Sequence, residues 1–336
     1  MVAGWRRAAA AAGLALALGT LGAGLWLGHA LWGFRAGRPS EVWVAEGASA
    51  RQILTDLQAA GLVPSPPAAR LYLRAASRGR SLHYGCYRFA AGTRPVAVLE
   101  AILDGRVAMF EVTVVEGSDA AAIGATFAAR GVGTDEDWQQ LLGRVEWVEE
   151  AVGNAPSLEG FLFPDTYRFA VGIAAEPAAR HLAERFVTVW REEAAAAGPL
   201  WGTPLEIVTL ASLVEAETSL ESERALVAGV FVNRLRLGMA LQCDPTVVYA
   251  LKRRGEWQGR LLRAHWRVDD PYNTYRSRGL PPGPINSPGR AALRAACAPA
   301  ATPHLYFVAR PEGGHAFSTT LAEHNRAVAR LRAVRR

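Results

Sequence analysis

The first part of the chain contains one long apolar stretch without a charge, Ala8–Gly28. A helix rises about 1.5 Å per residue, so about 20 apolar residues cross the hydrocarbon core of a bilayer. Trp5, Trp26 and Trp32 lie near the two ends of the stretch, where amphipathic rings favour the membrane interface. The sequence therefore predicts a transmembrane helix over residues 8–28.

A cleavable signal peptide is the alternative interpretation, with Arg6 and Arg7 as its charged start. The apolar stretch is long for a signal sequence, and Gly28-His29-Ala30 is a poor cleavage site. We therefore expect an uncleaved, single-pass anchor in the cell inner membrane. Residues 1–7 would form a cytoplasmic tail, and the chain from about residue 40 would be exported to the periplasm.

The composition describes a folded protein and excludes several classes of function. Half of the 336 residues are hydrophobic and 20% are charged, so overall disorder is excluded, and the net charge of +6 is too diffuse to indicate nucleic acid binding. Lys252 is the only lysine and lies outside any phosphate-binding loop. The three cysteines lie far apart and predict neither a thiolate zinc site nor a disulfide scaffold. We expect no metal and no cofactor.

Two segments predict the same strand–turn–helix unit. Val42–Ser49 and Val112–Ser118 each place β-branched residues before a Glu-Gly pair. An apolar helical stretch follows each segment and is closed by Gly61 in the first copy and Gly131 in the second. A duplicated packing unit explains this pattern, and such a module can also offer a surface to a glycan.

The composition changes near residue 155, where we place a boundary between a strand–helix domain at 40–154 and a helix-rich domain at 155–336. Glu176–Ala197 predicts a long helix, and the Thr-Pro-Leu-Glu sequence Thr203–Glu206 predicts the start of the next. Beyond Gly238, polar residues lie in Pro- and Gly-rich loops, as they do in binding clefts. The expected fold class is α+β.

Two acids, Glu215 and Glu217, lie near the end of the helix that starts at Thr203. At about 100° per residue they point to different faces, so they do not form a pair of glycosidase carboxylates. Glu217 falls on the apolar stripe with Leu210 and Leu213, whereas Glu215 falls on a more polar flank. Partial burial would raise the pKa of the Glu217 carboxyl and suit it to general acid catalysis.

Glu217 could also be an ordinary surface carboxylate paired with Arg224 or Arg234, and the sequence leaves this interpretation open. Thr218 and Glu221 have the spacing of a second capping box. A new helix would then begin at Thr218, and Glu217 would lie at a junction between two helices.

Seven motifs occur in an order that resembles one family. They are Leu158–Tyr167, Ala211–Thr218, Phe231–Leu235, Leu241–Val247, Tyr272–Tyr275, Gly279–Ile285 and Gly314–Phe317. Together they make the chain, from about Val42 to Arg326, similar to the membrane-anchored endolytic murein transglycosylases, the YceG-like proteins.

The resemblance implies an exported catalytic domain behind a LysM-like module at 40–154, acting on peptidoglycan glycan strands, with peptidoglycan synthases as possible partners. It implies one essential glutamate, and the second acid of the Glu-x-Glu-Thr motif, Glu217, matches it. One departure is Cys243, because the family usually carries Thr or Ser there, and this puts substrate contacts at that position in doubt. The neighbouring Gln242 and Asp244 match the family pattern.

Polar residues of the motifs are candidate substrate contacts, and for each of them a loop-bracing role is equally open. The candidates are Asn233, Arg234, Gln242, Asp244, Thr246, Tyr272, Asn273 and Tyr275. Arg234 could instead bind a muramic lactyl or stem-peptide carboxylate through two hydrogen bonds. Asp244 is the candidate second acid or a turn-forming residue. His315, which follows a Gly-Gly turn, is expected to pack rather than act as a base.

The expected reaction is lytic cleavage between N-acetylmuramic acid and N-acetylglucosamine, in which one carboxyl group serves as acid and then as base. Two alternatives remain at this stage. The first is a muramidase that hydrolyses the same bond, and the second is a catalytically silent scaffold that binds cell wall or synthesis enzymes.

Overall fold

The computed structural model describes residues 2–334 and, within the first helix, the side chains of residues 5, 6 and 9 onward. Helix α1 spans Val2–Gly28 and continues as a short π-helix, His29–Gly33. The stretch Ala9–Gly33 is apolar and long enough to cross a membrane, and its most apolar part is not buried against the described chain. The predicted helix at 8–28 is thus confirmed as a helix, while the predicted tail begins at Met1, outside the described residues.

The chain divides into two compact units. The first contains the residues up to Phe110 together with Arg168–Gly172, and the second contains Glu111–Tyr167 and the residues from Ile173 onward. The boundary that we expect near residue 155 lies inside the second unit, which therefore includes the helix of the second strand–helix repeat.

After α1 and the π-helix, the first unit contains two paired strands and three helices. Its elements are β1 (Ser40–Val44), α2 (Ala50–Ala59), α3 (Pro66–Ala76), β2 (Gly85–Phe89) and α4 (Pro95–Leu103). The strands are antiparallel, with Ser40 opposite Phe89 and Val44 opposite Gly85. Leu57, Leu62 and Tyr87 are fully buried in the core that the helices form with this two-stranded sheet.

The second unit is richer in helices. Strands β3 (Met109–Thr113) and β4 (Thr166–Ala170), through which the chain passes between the units, form one two-stranded sheet. The helices are α5 (Ala120–Ala128), α6 (Asp135–Leu141), α7 (Glu149–Val152), α8 (Ala175–Ala197), α9 (Pro204–Glu217), α10 (Glu221–Arg236), α11 (Asp244–Arg253), α12 (Arg290–Cys297) and α13 (Leu321–Val334). Strands β5 (Tyr306–Ala309) and β6 (His315–Ser318) form a hairpin before α13. The described chain is therefore α+β and helix-rich, as predicted.

The two strand–turn–helix repeats are confirmed in their local chemistry. Ser49 caps α2 by accepting a hydrogen bond from an amide three residues on, and Asp119 caps α5 in the same way. Gly61 and Gly131, which follow these helices, have φ values of 72° and 75°. A side chain is strained in that left-handed region, so glycine ends both helices.

Helix α9 is the centre of the second unit. Every residue from Ile207 to Val214 is buried, and the helix packs against α10 and α12. The predicted capping box at its start is present, because Thr203 and Glu206 each accept from the other's backbone amide. The apolar stripe inferred from the sequence was too narrow, since a helix surrounded by others buries all of its faces.

The second capping box, predicted at Thr218 and Glu221, is wrong. Helix α10 begins at Glu221 with Leu220 as its N-cap, and Leu220 makes no side-chain cap. The Thr218 hydroxyl instead accepts from the Leu220 amide at 3.1 Å, in a tight turn that follows the end of α9. The expected junction is nevertheless present, since Glu217 is the last residue of α9.

Candidate active site

Glu217 lines a cavity of about 320 Å³, here termed the Glu217 cavity. Helices α9, α10 and α11, the loop before α11 and the β5–β6 hairpin provide its walls. The other lining residues are Phe231, Arg234, Leu241, Gln242, Asp244, Tyr275, Phe307, Val308, Ala309, His315 and His324. Its volume lies at the lower end of the range of small-molecule sites.

The Glu217 carboxyl is half-buried, and its surroundings favour the protonated form. Burial is the largest cause that raises the pKa of Glu217 above its usual value, and the negative charge of Asp244 adds to it. The Cys243 thiol, His315 and Arg234 act in the opposite direction without cancelling the rise. A carboxyl group with a raised pKa is suited to donate a proton near neutral pH.

Cys243 is buried directly beside this carboxyl group. Burial raises the pKa of its thiol well above the usual value, and the neighbouring Glu217 raises it further. The thiol therefore stays neutral and faces the acid from inside the wall, where a Ser or Thr hydroxyl is usual in the family that the sequence resembles.

Gln242, Asp244 and Tyr275 lie together at the edge of the cavity. Asp244 is the first residue of α11, and its Oδ1 accepts from the Tyr275 hydroxyl at 2.7 Å and from Trp266 Nε1 at 3.0 Å. The Tyr275 and Trp266 rings stack at 5.3 Å between centroids. Gln242 has φ of 52°, a conformation that non-glycine residues adopt at a cost and that is common at functional sites.

Four of the predicted contact residues instead brace the loops. Asn233 donates to the carbonyl oxygens of Thr302 and His304, and Asn273 donates to those of Trp266 and Val268. Thr246 is fully buried, and its hydroxyl donates to the Cys243 carbonyl oxygen. Tyr272 is also buried, with its ring against that of Tyr249. The contacts of Thr246 and Asn273 hold the loops that carry Gln242 and Tyr275, whereas those of Asn233 hold the segment before β5.

Arg234 reaches the cavity, but most of its hydrogen-bonding capacity is used by the backbone. Its Nε donates to the Leu305 carbonyl oxygen at 2.6 Å, and its Nη1 donates to the carbonyl oxygens of Ala240 and Leu241. The guanidinium also lies over the Tyr306 ring. This geometry favours a role in tying α10 to the hairpin over a two-point contact with a carboxylate.

His315 lines the cavity, although the sequence predicted a packing residue at this position. The predicted turn before it is confirmed, since Gly313 and Gly314 have φ of 101° and 67°. His315 Nδ1 lies 2.7 Å from Glu223 Oε2, and its amide donates to Glu223 Oε1 at 2.8 Å. The partners are 92 residues apart in sequence, so only the Gly-His motif itself could have indicated this position.

The expected polar flank of Glu215 is wrong, because Glu215 makes a buried ion pair. The Arg224 side chain, 8% exposed, donates through Nη1 to Glu215 Oε2 at 2.7 Å, and the Glu215 side chain is 7% exposed. The Gly289 amide donates to the same oxygen at 3.0 Å. Arg224 is therefore engaged by Glu215, and the pairing with Glu217 considered from the sequence does not form.

A second buried acid, Glu159, gives the protein a pH-dependent stability. Burial, with the negative charge of Asp119 in addition, raises the pKa of Glu159 to about 8, although the Ala120 amide donates to it at 3.0 Å. Between the usual value of 4.5 and about 8 the folded state binds the extra proton, so stability falls as the pH rises through this range. The decline amounts to a few kcal/mol, since one pKa unit corresponds to about 1.4 kcal/mol.

Glu159→Gln is expected to flatten that decline, because the amide keeps the acceptor and cannot ionise. The check is chemical denaturation of both proteins from pH 5 to 9. Glu150→Gln, at an exposed carboxyl, serves as the control and should leave the wild-type slope unchanged. Parallel curves for Glu159→Gln and the wild type would show that Glu159 is already ionised at pH 5.

Comparison with known proteins finds relatives that are named as murein transglycosylases. A Bacillus subtilis protein named endolytic murein transglycosylase is 30% identical over 307 residues, which cover 84% of this chain and 82% of the relative. A Streptococcus pneumoniae protein of the same name is 32% identical over 183 residues, 51% of this chain. The aligned part is 32% of the pneumococcal protein, so the match spans about a third of its length.

A solved structure and a family profile agree with these relatives. The crystal structure of a YceG-like protein from Listeria monocytogenes superposes with a TM-score of 0.57 at 28% identity, covering 86% of this chain and 98% of the other. The profile of the YceG-like family matches residues 42–330, which include every residue of the Glu217 cavity. The chain belongs to the YceG-like family.

Proposed function

We propose that the protein is an endolytic lytic transglycosylase of peptidoglycan. It cleaves the β-1,4 bond between N-acetylmuramic acid and N-acetylglucosamine in nascent glycan strands, leaves a 1,6-anhydro end and so terminates strand elongation. The observation that carries this proposal is the half-buried Glu217 carboxyl, whose pKa is raised by burial, in a polar cavity beside Asp244 and Tyr275. The names of the bacterial relatives support murein as the substrate.

In the first step, the protonated Glu217 gives its proton to the glycosidic oxygen. The bond from that oxygen to C1 of the muramic residue breaks, and C1 gains positive charge. In the second step, the Glu217 carboxylate accepts the proton of the muramic C6 hydroxyl, and O6 forms a bond to C1. Glu217 ends the cycle protonated, no water is consumed, and one group acts as acid and then as base.

The neighbours of Glu217 have distinct tasks in this scheme. Asp244, fixed by Tyr275 and Trp266, keeps a negative charge near the acid and disfavours its early ionisation. The same negative charge can stabilise the positive C1 centre. Gln242, Tyr275 and the hairpin residue His315 offer hydrogen-bonding groups to the sugars on the cavity wall.

Hydrolysis by a muramidase is the second candidate, because Asp244 places another carboxyl group in the same cavity. Glycosidases use two carboxyl groups, one of which activates water or attacks C1. Tyr275 and Trp266 already occupy Asp244 Oδ1, which favours a positioning role for Asp244 over that of a base.

Digestion of purified glycan strands in ¹⁸O-labelled water separates the two reactions. We expect product ends that are lighter by one water than a reducing end and that contain no ¹⁸O, as measured by mass spectrometry. Reducing ends that carry one ¹⁸O atom would show hydrolysis and overturn the lytic mechanism.

Helix α1 and the nature of the substrate support a location at the membrane. Residues 8–28 anchor the protein in the inner membrane with the tail at 1–7 in the cytoplasm, and the rest of the chain is periplasmic. The segment 40–154 holds a LysM-like module that can bind glycan, and peptidoglycan synthases, which produce the strands at this membrane, are natural partners. Protease treatment of spheroplasts should digest the protein from the outside.

A further inference from the structure

A second cavity lies next to the Glu217 cavity and shares one lining residue with it. It has a volume of about 330 Å³ and is here termed the Tyr249 cavity. Asp244 lines both cavities, and Ala216, the residue next to Glu217, lines the second one. The two cavities are therefore neighbours at the end of α9 and the start of α11.

A third cavity continues from the second. It has a volume of about 400 Å³, reaches the half-exposed ring of Trp257, and is here termed the Trp257 cavity. Asp119, Tyr249 and Lys252 line both it and the Tyr249 cavity. The shared lining residues place the three cavities in succession along α11, a path with Glu217 near one end and Trp257 near the other.

The polar groups along this path suit a ligand with many hydroxyl groups. Lys252 Nζ lies 2.6 Å from Asp119 Oδ2, so the two charges cancel. The Lys252 side chain is 48% exposed, and its ammonium group has donors left for a ligand. Asn286, 5% exposed, donates to the Ser212 carbonyl oxygen, while its Oδ1 has no hydrogen-bond partner among residues 2–334.

Tyr249, the aromatic residue that the Tyr249 and Trp257 cavities share, is held in place. The Tyr249 hydroxyl donates to Glu159 Oε2 at 3.2 Å, and its ring lies 4.9 Å from that of Tyr272. Trp257 follows the end of α11 in a loop. Rings next to paired polar groups match a sugar, which presents an apolar face together with hydroxyl and acetamido groups at its edge.

We propose that the Tyr249 and Trp257 cavities are additional saccharide subsites for the strand that is cleaved at Glu217. This inference rests on the proposed function. Lys252, with its Asp119 partner, and Trp257 then determine how tightly the protein holds a long strand, and a disaccharide in the Glu217 cavity does not reach them.

The test measures binding as a function of strand length. Glu217→Gln, in the full chain, is titrated calorimetrically with glycan fragments of two and of eight sugars from which the stem peptides have been removed. Lys252→Met and Trp257→Ala are then added singly. Each is expected to weaken binding of the eight-sugar fragment about tenfold, as for the loss of one good contact, and to leave the two-sugar fragment unaffected.

Trp147→Ala is the matched control, because Trp147 is also half-exposed and lines none of the three cavities. Equal loss for both fragments, or no loss for the longer one, would overturn the subsite proposal, provided that thermal unfolding shows folded variants. Cleavage by the otherwise unchanged protein is measured in parallel. If the protein cleaves strands but the variants bind the long fragment with unaltered affinity, only the subsites are rejected. If the protein does not cleave strands, the proposed function itself is rejected.

Discussion

Glu217→Gln is expected to abolish cleavage of purified glycan strands while the protein stays folded. Glutamine keeps the shape and hydrogen-bonding reach of the side chain but cannot donate the proton that the glycosidic oxygen requires. General acid–base catalysis by one group contributes about 10²–10⁴-fold to a rate, and Glu217 acts in both steps. We therefore expect a loss of at least about a thousandfold, measured by chromatography of the released fragments.

Glu221→Gln provides the matched control for this substitution. Glu221 is an exposed acid in the first turn of α10, four residues from Glu217, and it does not line the Glu217 cavity. Its replacement should leave the rate within a factor of two. Cleavage by Glu217→Gln at the rate of the wild type would assign the chemistry to another group. An unchanged phenotype in cells that carry Glu217→Gln would favour the non-catalytic scaffold.

Arg224→Met is expected to destabilise the protein by about 3–5 kcal/mol, the usual cost of removing one partner of a buried ion pair. Glu215 would remain buried with its charge, and the Gly289 amide would be its remaining hydrogen-bond donor among residues 2–334. A further carboxyl group lies close by, since burial and the charge of Glu215 raise the pKa of Glu116. The measurement is chemical denaturation of the full chain in detergent.

Two further variants make the cause of that loss testable. Adding Glu215→Gln to Arg224→Met should recover most of the stability, because the amide removes the charge and keeps an acceptor for Gly289. Arg185→Met breaks a half-exposed pair with Asp165 and should cost less than about 1 kcal/mol. If Arg224→Met lowered the stability no more than Arg185→Met does, the Arg224–Glu215 pair would contribute no more than an ordinary surface ion pair.

Local signals in the sequence predicted the elements that depend on near neighbours. The long apolar helix α1 followed from the absence of charge over residues 8–28. The starts and ends of helices followed from residues a few positions apart, as with Thr203 and Glu206 or the glycines after α2 and α5. The same local rule was wrong at Thr218, because the Thr218 hydroxyl accepts from the Leu220 amide in a tight turn and does not cap α10.

The composition of the site depended on contacts between distant residues, which the sequence does not display. The hydroxyl groups of Thr246 and Thr274, 28 residues apart, are hydrogen-bonded to each other and buried, whereas Gln242, which is also polar, faces the cavity. Glu215 was predicted on a polar flank because the pattern of α9 alone does not show its partners, Arg224 on the next helix and Gly289, 74 positions away. Glu217 was singled out by its helical position and by its motif, and the structure places it in the cavity with Gln242, Asp244 and Tyr275.

The proposed chemistry depends most directly on the protonation state of the Glu217 carboxyl. A ¹³C NMR titration of protein labelled at its glutamate carboxyl carbons measures that state, and the spectrum of Glu217→Gln identifies the signal by its absence. We expect the Glu217 carboxyl to titrate clearly above 4.5, the usual value for glutamate, because burial and Asp244 both raise its pKa. A Glu217 signal that titrates at or below 4.5 would show an ionised, solvated carboxylate and would contradict its role as the general acid.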